Sequence, residues 1–207
     1  MAPDPRPIPR FIADTTQEGI PHGRFAERLE AEFAASWEAA EDRPDVGGAL
    51  QLEWYPERAW GGRVWVPCTA RADGAEGKIE LFGHVSYARQ ESGEPTDFSA
   101  TSDFTDILAE DNPGWKIDLN DEVIGRWRGE NGRAGAVTLI WGHPLVRGAV
   151  AATAELDGAT VDQELVSNDR FTLLALDALE GYGDEIFVQV KLWSHRAQEL
   201  ASESLYA

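Results

Sequence analysis

The chain is poor in cysteine, methionine and lysine: its 207 residues hold one cysteine, one methionine and, against fifteen arginines, only three lysines (Lys78, Lys116, Lys191). A single cysteine, Cys68, excludes an intrachain disulfide and points to a reducing interior, so a cytoplasmic location is expected. Cys68 alternates with Val64 and Val66, which marks it as a buried small hydrophobe without a local histidine partner. No apolar run approaches the length needed to span a bilayer, and no charged-then-apolar opening marks a secretory signal. Basic charge is also scarce. Lys+Arg is 18 against Asp+Glu 37, a net charge of −19. That field repels phosphate backbones and anionic lipid, so neither nucleic acid nor membrane is an expected partner.

The usual carriers of chemistry are missing as well. The four histidines, His22, His84, His143 and His195, form no i,i+4 pair and no HExxH arrangement, so no metal site is expected. There is no G-x-S-x-G, no glycine-rich phosphate loop and no dinucleotide fingerprint, so no cofactor is expected. Carboxylates do cluster at Asp97, Asp103, Asp106, Glu110, Asp111, Asp118, Asp121 and Glu122. Asp118-x-Asn120-x-Glu122 lacks the following glycine of a calcium loop, and solvated acidic turns account for the run. The arginine-over-lysine bias, with abundant alanine and glycine, reads as a GC-rich bacterial coding sequence.

What is present is mostly β pattern. Residues 2–9 alternate proline and exclude helix, giving a proline-rich arm over residues 1–21. Residues 22–41 place Phe25, Leu29, Phe33 and Trp37 at steps of four, the stripe of a helix packed on a sheet. After residue 48 the period falls to two. Leu50/Leu52/Trp54, Val64/Val66/Cys68/Ala70, Ile79/Leu81/Val85/Tyr87, Trp115/Ile117/Leu119, Val137/Leu139/Trp141, Val146–Leu156, Phe171/Leu173/Ala175 and Ile186/Val188/Val190/Leu192 read as half-buried antiparallel strands. Asp73-Gly74, Asn131-Gly132 and Asp157-Gly158 supply hairpin turns. Pro67 lacks an N–H, so its strand should be an edge or carry a bulge there. Ser194–Tyr206, with Ala197, Leu200 and Ala201 on one face, predicts a short C-terminal helix.

The chain also resembles itself. Gly48–Trp54 matches Gly135–Trp141 at four of seven positions, and Gly62–Ala75 matches Val146–Ala159 at seven of fourteen. The spacing predicts two tandem antiparallel sandwich or barrel-like modules related by duplication, with Trp54 and Trp141 as core anchors. The boundaries expected are 1–21 for the arm, 22–132 for the helix and first module, and 133–207 for the second module and C-terminal helix.

One cluster suggests a function. Trp54, Tyr55, Trp60 and Trp65 fall within twelve residues. Tyr55 and Trp65 are out of phase with the apolar faces beside them and His84 is out of phase with its own strand. Tyr55, Trp60, Trp65 and His84 are therefore the candidate ligand-binding residues, a platform able to stack on a glycan or anchor a protein. The expected function is a non-catalytic binding or assembly protein. It is expected to form a homo-oligomer through residues 2–12, with Phe11-Ile12 as the apolar anchor. The alternative is an enzyme on a carbohydrate or other small non-anionic ligand, with scattered Asp/Glu and His84 as acid/base groups.

Overall fold

A computed structural model describes residues 20–41, 43–47, 50–74, 77–128, 134–179 and 188–205. Among these, the fold is mainly antiparallel β with one α-helix. No described helix is long and apolar enough to cross a membrane. The proline-rich segment 2–9 and the Asn131-Gly132 turn lie outside the described residues. The chain divides into two compact units that meet in sequence between Trp115 and Lys116. The expected boundary at 132/133 falls instead between two paired strands.

The first unit is one sheet with a helix on it. Its strands are β1 (Leu52–Trp54), β2 (Arg58–Trp60), β3 (Arg63–Gly74), β4 (Gly77–Arg89) and β5 (Pro95–Thr105). They run in the order β1-β3-β4-β5, with β2 also pairing β3. Helix α1 (Gly23–Ala39) turns Leu29, Phe33 and Trp37 inward, because steps of about four residues return to one face. These side chains join Trp54, Val64, Val66, Cys68, Leu81, Val85 and Tyr87 in a single core. Each large apolar side chain removed from water there contributes about 1.5–3 kcal/mol. The expected helix-on-sheet packing is thus present. The unit is a single covered sheet rather than a sandwich.

Pro67 shapes this sheet in a way only partly anticipated. β3 is central, but its β1 ladder stops at Trp54↔Cys68 and its β2 ladder starts only at Arg58↔Trp65. Tyr55 N–H donates to the Pro67 carbonyl at 2.9 Å. The proline nitrogen faces the same side and has no hydrogen to return, so the neighbouring strand breaks into two short pieces.

The second unit holds β6 (Ile117–Arg128), β7 (Ala134–Pro144), β8 (Ala151–Leu156), β9 (Ala159–Leu165), β10 (Phe171–Leu179), β11 (Val188–Trp193) and β12 (Glu199–Ser204). They form a three-stranded sheet, β10-β7-β6, and a four-stranded sheet, β12-β11-β8-β9. Ile140, Phe171 and Leu173 from the first sheet pack with Ala152, Ala154, Val188, Val190 and Leu192 from the second. Carboxylates bridge both seams. Asp162 Oδ2 accepts the Leu174 N–H at 2.7 Å, and Glu203 Oε1 accepts the Lys116 N–H at 3.3 Å. The Asp157-Gly158 turn is as expected, with both residues at positive φ, 47° and 76°.

Two expectations are corrected here. The C-terminal segment is no helix: residues 194–198 turn and β12 follows. Ser194 Oγ accepts backbone N–H groups of Arg196 and Gln198, as a helix cap would, but Ala197 sits at φ 53° and reverses the chain. Ala201 then pairs with Leu192 on the core face of the sheet. The strand pairing also does not repeat between the two halves. β1 pairs β3, whereas the corresponding β7 and β8 lie in different sheets. β4 pairs β5 in a ladder, whereas the corresponding β9 and β10 do not. Trp54 and Trp141 are both buried, at 5% and 0% exposure, but in sheets of different order.

Candidate functional site

The four sequence-chosen residues share one face of the first unit's sheet, the face away from α1. The register runs Pro67↔His84↔Thr101 across β3, β4 and β5, with Tyr55 beside Pro67. Trp65 pairs with Ser86 one step along, and its ring lies 4.9 Å from the His84 ring. Trp65 Nε1–H donates to the Trp60 carbonyl at 3.1 Å. Tyr55 Oη and Thr69 Oγ1 are 3.4 Å apart, and His84 Nδ1 lies 3.0 Å from Thr101 Oγ1. Trp60 is half-buried at the β2–β3 hairpin.

The phase argument therefore places these side chains on the correct face, but they make no exposed platform. Tyr55 is 1% exposed, His84 3% and Trp65 9%. Large aromatic rings gain most when withdrawn from water, provided their polar ends find partners, as those of Tyr55 and Trp65 do. His84 is held against the Trp65 indole and the Thr101 hydroxyl.

Two carboxylates of the acidic run, Asp97 and Glu110, are likewise engaged. At a bulge in β5, Asp97 adopts φ 52°, and Arg63 holds both its carboxylate and its carbonyl at 2.5 Å. Glu110 accepts from Arg71 and Lys78, each at 2.9 Å. The hydrogen bond and charge of Lys78 hold the Glu110 carboxyl below the usual carboxylate range, and the same contact raises Lys78. Glu57 accepts from Tyr87 Oη at 2.9 Å and from Arg89 at 2.5 Å. Burial pushes the Tyr87 phenol up. Burial does the same, more strongly, to the Cys68 thiol, which is 0% exposed as expected. Among the described residues, no group of three or more His, Cys, Asp or Glu is placed to hold a metal ion.

A concavity lies on the other face. α1 packs over β4 and β5 and leaves the sheet beside β1 only partly covered. There a cleft of about 290 Å³ opens between one flank of α1 and the segment leading into β1. Phe33, Trp37, Val46, Leu50 and Leu52 give it apolar walls. Glu30, Ala34 and Glu38 run along the helix flank, spaced four residues apart so that they share one ridge. Arg43 closes one end and pairs with Glu38 at 2.6 Å. Sequence reasoning missed this site. Its signal was present in the polar positions flanking the helix stripe, Glu30 and Glu38, but the facing wall comes from residues 46–52.

Comparison with known proteins gives no match to a family model, a curated protein or a solved structure.

Proposed function

We propose that this is a non-catalytic binding protein whose accessible site is the cleft beside α1. The observation that carries this reading is the cleft itself, with apolar walls and a charged rim between α1 and the segment leading into β1. Its chemistry suits holding rather than reacting. Among the described residues, the cleft lining contains no histidine, cysteine, serine or threonine. Its two carboxylates among the described residues, Glu30 and Glu38, stand eight residues apart on one helix, about 12 Å at ~1.5 Å per residue. Paired carboxylates of glycoside hydrolysis stand closer, at about 5–9.5 Å. Glu38 is further neutralised by Arg43. The enzyme alternative built on His84 loses support from the burial of that ring.

A small-molecule screen on the full chain, followed by amide chemical shifts, tests the reading. Binding should move Ala34, Val46 and Leu52 while the ligand is recovered unchanged. Turnover of a bound ligand, or binding that leaves those amides still, would overturn it. Self-association belongs to the same reading of an acidic β-rich protein. Light scattering on the full chain and on a form lacking residues 2–12 tests it, with a fall in mass expected on deletion and an unchanged mass refuting the arm's role.

A further inference from the structure

We infer that the cleft beside α1 takes a small amphiphilic cation, an aryl- or alkylamine of about ten heavy atoms. The inference rests on the proposed binding role and adds the ligand's chemistry. Size comes first. About 290 Å³ is at the lower end of pocket volumes, enough for one ring with a short chain. The walls come next. Half-buried Leu50 and Leu52 offer carbon surface, and Ala34 is small enough to leave the helix flank open to a flat group. Charge then sets orientation. Glu38 is matched by Arg43 at 2.6 Å, so that end of the cleft is electrically satisfied. Glu30, two turns away on the same ridge, makes no ion pair among the described residues. An ammonium group at Glu30 with its hydrocarbon laid over Ala34 toward Leu50 and Leu52 satisfies both demands. The chain's net charge of −19 also enriches cations near its surface.

The test uses three probes of one size, phenethylamine, 2-phenylethanol and phenylacetate, titrated into the full chain. The indole N–H resonance of Trp37 and the amides of Ala34 and Leu52 report occupancy. Phenethylamine is expected to bind several-fold more tightly than 2-phenylethanol, and phenylacetate more weakly than either. Glu30→Gln, an exposed substitution that preserves side-chain shape, should cut the amine's affinity by up to about fivefold and leave the alcohol's unchanged. Raising the salt should weaken only the amine. Equal binding of all three probes, or an amine affinity indifferent to Glu30→Gln, would overturn the cationic preference and leave the binding role standing. No shift at Ala34, Leu52 or Trp37 with any probe at ten millimolar would overturn both.

Discussion

Leu29 is the best place to test whether α1 holds the first unit together. It is 0% exposed and sits in the shared core of helix and sheet. Leu29→Ala removes three carbons, a transfer loss of about 2.4 kcal/mol at ~0.8 kcal/mol per methylene. If the helix cannot collapse onto the sheet, a residual cavity of about 80 Å³ adds ~2 kcal/mol at about 24 cal/mol per Å³. The expected destabilisation is therefore about 2.4–4.4 kcal/mol, set by how far the neighbours relax. Ala also has the highest helix propensity, so helix formation itself is not impaired. Glu27→Ala, exposed on the same helix, is the control and should stay within about 0.5 kcal/mol. Native-state amide exchange at Val66 and Leu81 reads the stability of this unit directly, and the amides of Val190 and Leu192 serve as the internal reference. A Leu29→Ala loss below about 1 kcal/mol, indistinguishable from the control, would refute the packing assigned to α1.

Other consequences follow from single contacts. A Cβ at Gly142 would stand 2.1 Å from the Asp118 carbonyl, so Gly142→Ala should cost about 1–3 kcal/mol in urea unfolding, whereas Gly114→Ala, with open space around it, should be near neutral. Cys68 should resist thiol reagents in the native protein and react on unfolding. Its folded pKa is raised above the ordinary value near 9.0, so the buried neutral thiol contributes fully below that pH, and its contribution is lost as pH rises through the folded value. Stability curves of the wild type and Cys68→Ala should therefore converge above pH 9, and parallel curves would refute this. Glu110 is the opposite case. Its pKa is lowered by Lys78, so the pair's contribution is present above about 4.5 and lost as pH falls through the folded value. In an NMR titration, Lys78→Ala should move the Glu110 midpoint upward, and an unmoved midpoint would show that the pair does not persist in solution.

The sequence by itself determined the local structure. Steps of four from Phe25 to Trp37 allow one face of one helix, and alternation through β3, β4, β7 and β11 gives strands with an apolar side. The phase of Tyr55, Trp65 and His84 put them on the face away from α1, and a lone apolar-phase cysteine meant a buried thiol. These follow from the fixed periods of helix and strand, which need no partner to be read.

Tertiary structure decided which surfaces meet. Ala197, Leu200 and Ala201 fit a helical face, but pairing of Leu192 with Ala201 extends a sheet instead. Similar segments around Trp54 and Trp141 entered sheets of different order, because strand partners are chosen by long-range packing that seven matched residues do not encode. The aromatic face was legible but its burial was not, since exposure depends on what packs above a strand. The cleft belonged to neither period. It exists because α1 packs mainly over β5 and β4, an offset set by the whole core packing together.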